Sequence, residues 1–500
     1  TTKSFQLKPN PGNREPVICS IKPGCFGNSV GLRNPGMEAA ISEIKSLGKL
    51  RCKLNISLSA SSPEDFIALL KGMESLGDSF ELNFSCPHAQ SGFGSAIGSD
   101  ARIASSFVRA IRKALSDFSK EIFVKLTPNV DDIGFIAQAV MEAGASGISA
   151  INTAGPIDHI DPVSGASILL HGKGGCSGAW IKDRALEAVS QIRSAVGPEV
   201  PIIGMGGVSS HEDVKAMLEA GANAVGVGSS LASVNQSDWP AFFESLKTGS
   251  KPPFIDKSNR MSYERHVVMA RREAGSNAVA LDLDGSYECK AGQFVFLWLP
   301  GVGEKPFSVA RNKPLSFIVK AKGPFTKALC SLAPGSQVFI RGPYGRPVDA
   351  IGSRRALVLA AGTGEAVLLL LAQRLSGLGK SLDMRLGLVD GQSSMLEKEL
   401  KALGSFRTVY DRGVLGRMIA ELEDQDPRDL ACYLIGPMAF MEKAALRLEE
   451  MGIEPTEIML CLEKNSLCGV GLCGQCSVSG RLACQSGTFM SWDFVKAADD

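Results

Sequence analysis

Five hundred residues exceed what one ordinary core holds and predict two to four domains. The 53 basic and 52 acidic side chains nearly cancel to a net charge of +1, so no basic field invites nucleic acid or anionic lipid. No apolar run approaches the ~18 residues of a membrane span, and 13 unevenly placed cysteines read as thiols of a reducing compartment, so a soluble, cytoplasmic protein with no membrane partner is expected.

From Leu50 to about Ser230, short apolar runs alternate with amphipathic helical stretches. Strands are expected at Arg51–Ser57, Phe80–Ser85, Ile122–Thr127, Gly147–Asn152, Val200–Met205 and Ala224–Ser229. Each is nearly continuous in hydrophobicity, as parallel strands covered on both faces are. Ile103, Phe107, Ile111 and Leu115 recur every four residues after Asp100, an N-cap candidate. Glu142-Ala143-Gly144-Ala145 returns as Glu219-Ala220-Gly221-Ala222, each time ending a helix before a strand. Such repeats predict an α/β fold of TIM type, a β/α barrel, with a doubly wound sheet as the competing reading. Glycine turns after the last two strands, at Gly206, Gly207, Gly228 and Ser229, suit a cofactor phosphate held by backbone N–H groups.

A Pro/Gly/Ser/Lys stretch at Lys247–Asn259 marks a linker. Short β segments follow at Ala278–Leu283, Gln293–Leu299, Leu315–Val319 and Gln337–Ile340, as in a small antiparallel barrel. Strand and helix then alternate again, and Ala356–Ala360 runs into Gly362-Thr363-Gly364 and a helix from Glu365, a turn that can cradle a dinucleotide pyrophosphate.

Near the end, Cys468, Cys473, Cys476 and Cys484 are separated by four, two and seven residues, close to the plant-type spacing for a 2Fe–2S cluster. Gly469, Gly471 and Gly474 allow the backbone to wrap a small inorganic core. Zinc is the alternative; its sites usually draw on two separated Cys-x-x-Cys pairs, and only one is present.

The runs Asn28–Gly36, Asn83-Phe84-Ser85-Cys86-Pro87, Lys125-Leu126-Thr127-Pro128-Asn129, Asn152-Thr153, Gly174–Gly178 and Gly204–Gly207 resemble, in this order, the barrel of class 1 dihydroorotate dehydrogenases. Residues from about Ser262 to Met490 resemble the electron-transfer subunit of the class 1B enzymes, through Lys305-Pro306-Phe307-Ser308, Gly323 with Thr326, Gly342-Pro343, Glu463 and the cysteine loop. The resemblance implies an FMN barrel over 1–246, a linker over 247–261, an FAD-binding β-barrel over 262–350, an NAD-binding α/β domain over 351–455 and a 2Fe–2S domain over 456–500. It also implies Cys86 as catalytic base, and Lys3, Asn28, Gly31, Leu32, Asn83, Asn152 and Thr153 around the substrate. Asn55, Lys125, Gly178, Gly206, Gly207, Gly228 and Ser229 would meet FMN, Lys305, Pro306, Phe307, Ser308, Gly323 and Thr326 would meet FAD, and Gly362 and Gly364 would face NAD.

The implied reaction oxidises dihydroorotate to orotate in pyrimidine biosynthesis, with electrons passing from FMN through the cluster and FAD to NAD. A homodimer through the barrel is implied as well. Only six full strands precede the linker where a closed barrel needs eight, so a fragment lacking its first strand is expected. His88 stands where many members have asparagine and is shared with dihydropyrimidine dehydrogenases, which keeps uracil or thymine reduction as an alternative. Lysine for arginine at Lys305 loses a planar fork, and the altered turn before Gly362 departs from the family's NAD turn. A redox-inactive remnant is the non-catalytic alternative.

Overall fold

The computed structural model describes residues 1–499 apart from 86–94, 257, 259, 276, 350, 390–391, 411–416 and 419–427. The chain divides into two units, Thr1–Asp161 with Ala166–Asn259, and Pro162–Gly165 with Arg260–Asp500. No helix among the described residues is long and apolar enough to cross a membrane.

In the first unit, β1 (Ile18–Lys22), β2 (Cys25–Asn28), β7 (Ala154–Asp158) and β8 (Lys173–Gly178) form a small antiparallel sheet. No strand is expected from the sequence at these segments; only Asn28 and Gly174–Gly178 fall in quoted motifs. The six expected strands are β3 (Asn55–Leu58), β4 (Ser79–Asn83), β5 (Glu121–Lys125), β6 (Gly147–Ala150), β9 (Ile202–Met205) and β10 (Ala224–Gly226), all parallel. They lie in the order β10-β9-β6-β5-β4-β3. That order never reverses, as a barrel wall requires, whereas a doubly wound sheet reverses at a switch point. Outside β3, Phe5 bridges Leu58 in parallel and donates to the Ser57 carbonyl at 2.9 Å.

These strands are not uniformly apolar. Ile56, Leu58, Phe80, Leu82, Ile122, Val124, Ile148, Ala150 and Ile202 face the helices and are buried in one core. The registered residues between them, Ser57, Glu81, Asn83, Lys125 and Ser149, share the opposite face. β3 starts later than expected because exposed Arg51 and Lys53 precede it, so Asn55 opens the strand.

The repeated Glu-Ala-Gly-Ala corners share one construction. Gly144 and Gly221 take φ +104° and +111°, and an arginine of another helix donates to each carbonyl, Arg112 at 2.7 Å and Arg193 at 2.9 Å. The helix Ala101–Ala114 is capped by Asp100, whose carboxylate accepts from the N–H groups of Arg102 and Ile103. Its buried stripe, however, is Ala104, Val108, Ile111 and Leu115. Ile103 lies 41% exposed, because small Ala101 and Ala104 bring the neighbouring face of the helix inward.

The second unit contains two larger sheets. The antiparallel one consists of β11 (Glu264–Glu273), β12 (Ala278–Leu283), β13 (Phe294–Leu299), β14 (Gly303–Phe307), β15 (Arg311–Asn312), β16 (Leu315–Lys320) and β17 (Gln337–Tyr344), ordered β14-β13-β17-β11-β12-β16-β15. β11 escaped the sequence reading because its residues are mostly polar, yet it pairs with both β12 and β17. The other sheet places β18 (Arg355–Ala361) between β19 (Ser381–Leu388) and β21 (Leu430–Ile435), with β20 (Ser405–Tyr410) beyond β19 and β22 (Ile458–Cys461) beyond β21, all parallel. After the short hairpin β23 (Ser477–Val478) and β24 (Arg481–Leu482), β25 (Phe489–Ser491) adds antiparallel to β22.

Two isoleucines of one helix test this packing. Replacing Ile111, 1% exposed, with alanine should cost about 2–5 kcal/mol in denaturant unfolding, whereas Ile103→Ala should change stability by less than about 0.5 kcal/mol. Equal losses would mean the helix is turned the other way.

Candidate functional site

At the C-terminal ends of the parallel strands, polar side chains meet in a continuous network. Glu81 accepts from Ser57 Oγ at 2.9 Å, Ser57 Oγ meets Ser4 Oγ at 2.9 Å, and Asn83 Nδ2 donates to Ser4 Oγ at 2.8 Å. Asn83 Oδ1 accepts from Ser85 Oγ at 2.8 Å, and Asn152 Nδ2 donates to both the hydroxyl and the carbonyl of Ser85, at 2.9 and 3.0 Å. Ser85, from the quoted motif, and Ser57, Ser4 and Glu81, which nothing in type or spacing marks, thus join the two expected asparagines. Lys125 ends β5 in register with Asn83 and is half-buried. No hydrogen bond from its ammonium is made among the described residues.

Asn28 ends β2 beside β8, with Nδ2 3.5 Å from the Gly175 carbonyl, and a Cβ on Gly175 would stand 2.2 Å from Thr153 Oγ1. The antiparallel sheet therefore brings Asn28 and Thr153 to one place. Gly31 and Leu32 both adopt left-handed backbone, φ +73° and +55°, and line a cavity of about 660 Å³ with Ser59 and Asn13. Lys3 is exposed, between Thr2 and Phe5, whose N–H groups donate to the carbonyls of Asn55 and Ser57. Cys86 and His88 lie outside the described residues. Asn55 does not join this group: it pairs with Ser79 at the start of β4, four residues before Asn83, and its side chain meets Ser79 and Thr1.

A second cavity of about 260 Å³ is lined by Gly178, Gly207, Ser229 and Ser230, together with Gly24 and Asp256. Gly178 (φ +83°) sits where a Cβ would lie 2.0 Å from the Gly24 carbonyl, and Gly207 (φ +73°) where one would press on Lys182. Gly206 packs on Ala185, while Gly228 begins the turn Ser229–Ser233. Ser230 Oγ is buried and has no hydrogen-bond partner among the described residues. Lys182 holds Asp213 at 2.8 Å, and Asp213 in turn accepts from the N–H groups of Ser209 and Ser210, fixing the loop after Gly207.

In the second unit one cleft of about 350 Å³ collects Lys305, Pro306, Phe307, Ser308 and Thr326. That volume suits a small-molecule site. Thr363, between Gly362 and Gly364, reaches the same cleft, as does the run Leu462–Ser466 that leads into the cysteine loop. Lys305, Lys320, Lys322 and Lys464 outnumber Glu463 along its walls, so an anionic occupant is favoured. Gly323 and Thr326 bond one another: Thr326 Oγ1 accepts from the N–H groups of Lys322 and Gly323 at 2.9 and 3.0 Å, closing the helix Pro324–Cys330.

Gly469, Gly471 and Gly474 of the cysteine loop take φ +81°, +78° and +73°, as the sequence requires. The thiols of Cys473, Cys468, Cys484 and Cys476 are neighbours in that order. Contacts with Cys473 and Cys484 hold the Cys468 thiol well below its ordinary value. Gly471 N–H donates to Cys484 Sγ at 3.2 Å and Leu472 N–H to Cys468 Sγ at 3.3 Å. Among the described residues no group of three or more His, Cys, Asp or Glu surrounds a single point as one metal ion would need. Cys461 stands apart in β22, its thiol pushed up to about 12 by burial.

A sequence-family model described as dihydroorotate dehydrogenase matches residues 1–247. Over 230 residues the chain is 40% identical to the dihydroorotate dehydrogenase B (NAD(+)) catalytic subunit of Methanothermobacter thermautotrophicus, covering 46% of this chain and 74% of that protein. The subunit of the same description from Methanocaldococcus jannaschii is 40% identical over 235 residues, with the same coverages. Dihydroorotate dehydrogenase A (fumarate) of Lactobacillus delbrueckii subsp. bulgaricus is 40% identical over 225 residues, covering 44% of this chain and 70% of that one.

The two glycine environments predict different costs. Gly197 (φ +80°) has open space where a Cβ would go, so Gly197→Ala should cost roughly 1–2 kcal/mol from backbone strain alone. Gly178→Ala adds the clash with the Gly24 carbonyl and should lower the thermal midpoint by clearly more. Equal midpoints would show that the cradle can widen.

Proposed function

The chain belongs, through residues 1–247, to the dihydroorotate dehydrogenase family, and on that basis we propose that it oxidises dihydroorotate to orotate and passes the electrons through its second half to NAD. The observation that carries the proposal is the joined row of Asn83, Ser85 and Asn152 beside the half-buried ammonium of Lys125. Amides both donate and accept, so Asn83 and Asn152, with Asn28 and Thr153, suit the carbonyl and N–H edge of a pyrimidine. Cys86, directly after Ser85 in the chain, is the proposed base for the ring proton, since a thiol can be tuned toward neutrality. Gly178, Gly206, Gly207, Gly228 and Ser229, joined by the unpartnered hydroxyl of Ser230, fit a flavin phosphate.

For the second half, the lysine-rich cleft fits FAD through Lys305, Pro306, Phe307, Ser308, Gly323 and Thr326, with the Gly362 to Gly364 turn toward a nicotinamide dinucleotide. The four-thiol loop fits a two-iron cluster: each iron takes two thiolates, so no three ligands need share one centre, and two N–H groups already point at sulfur. FMN supplies the hydride acceptor, the cluster a one-electron relay and FAD the exchange with NAD.

The test is to purify the full chain, identify its flavins and iron, and follow orotate formation with NAD. Activity with dihydroorotate and none with dihydrouracil is expected; the reverse preference would overturn the substrate assignment. Cys86→Ala should slow orotate formation at least ~100-fold while NADH oxidation by an artificial acceptor continues. Cys476→Ser should abolish coupled turnover while dihydroorotate still bleaches one flavin and NADH the other. Near-normal coupled turnover in an iron-free Cys476→Ser variant would remove the cluster from the electron path.

A further inference from the structure

Arg341, within β17, is fully buried and is tied on one side to a carboxylate and on the other to the cysteine loop. Its Nε and Nη2 form a fork on Glu304 at 2.7 and 2.6 Å, with both side chains at most 1% exposed. Its remaining donors reach the carbonyl oxygens of Cys468, at 2.8 Å, and Leu467, at 3.1 Å, and the Tyr344 hydroxyl at 2.9 Å. The Tyr344 ring lies against Gly469, where an added Cβ would come within 2.6 Å of it. Tyr263 donates to Glu304 at 2.6 Å on the side away from the loop. The pair is thus a buried dipole with its positive end against the first cluster cysteine.

We propose that Arg341, neutralised by Glu304, is a positioning residue that fixes the first cysteine of the loop on the β-barrel and sets the reduction potential of the cluster held there. The proposal rests on the reading of the four thiols as a 2Fe–2S site. Two physical effects carry it. Guanidinium hydrogen bonds to consecutive carbonyls remove the freedom of the Leu467-Cys468 backbone, and their charge assistance makes them strong. A positive end beside the Cys468 peptide favours the form of the cluster carrying one more electron, because such potentials respond to net charge, hydrogen bonding and exposure. The low polarity of the interior magnifies both. No proton or bond change is involved: the cluster gains one electron from the reductant used in the titration.

Glu304→Gln leaves the guanidinium charge uncompensated and should raise the cluster potential, by at least tenfold in the one-electron equilibrium, about 59 mV. Because unpairing a buried arginine can prevent folding, a second variant replaces both partners, Glu304→Leu with Arg341→Met. Hydrophobic replacement of a whole buried pair is usually tolerated, and here it should lower the potential and alter the electron paramagnetic resonance g-values with iron retained. The full chain is titrated with dithionite and redox dyes, with iron measured on the same samples. Opposite shifts in the two variants, or a fall in the double variant where Glu304→Gln does not fold, support the proposal. Iron-loaded variants with unchanged potential, or a double variant that shifts upward, overturn it. A wild-type chain that binds no iron overturns the cluster reading and this proposal with it.

Discussion

The fork between Arg341 and Glu304 is the contact on which the second unit's site depends. Two strands of the antiparallel sheet, β14 and β17, contribute the partners, and the same guanidinium then holds the backbone that enters the cysteine loop. A buried ion pair adds little net stability, since desolvation offsets attraction. What it contributes is a unique arrangement: five donors in a plane, each matched to one acceptor, leave the loop a single register against the antiparallel sheet. Phe296, 3.9 Å below the guanidinium, and Tyr344 close the remaining faces. The cleft beside it, which contains Phe294 and the Leu462–Ser466 run, gets its shape from this junction.

The first unit solves a similar problem with a row of hydroxyls and amides ending on one carboxylate. Glu81, Ser57, Ser4, Asn83, Ser85 and Asn152 form one chain of hydrogen bonds across the polar face of the parallel sheet, while the other face carries the apolar core. A fully bonded buried network rigidifies its members. Those amides are consequently oriented before any ligand arrives, and the ammonium of Lys125 stands beside them.

Much of this was legible in the sequence, and the reasons for the exceptions are physical. The six parallel strands showed as short apolar runs, and the glycine turns and cysteine spacing stood out because a single backbone geometry demands them at fixed offsets. β3 begins at Asn55 and not at Arg51 because a strand's start depends on where its neighbour's ladder begins, not on its own residues. Ile103, first in the four-residue recurrence, lies exposed because such a recurrence describes two adjacent faces almost equally well, and small alanines decide between them. β11 was missed because its residues are mostly polar, and the joining of β2 to β8 because the two are distant in sequence. Arg341 and Glu304 gave no local signal at all, as each becomes special only when the other is folded against it.

The register of the parallel sheet also has a metric meaning. Asn83, Lys125 and Ser149 lie directly opposite one another on three consecutive strands. Neighbouring strands stand about 4.8 Å apart, so the three side chains mark off equal intervals along a row about 10 Å long. Twist fans them by a further ~20° per strand. The row therefore works as a ruler: a molecule touching both ends must be flat and about that long. Because every mark is fixed by ladder hydrogen bonds to its neighbours, the scale cannot be adjusted by sliding one strand alone.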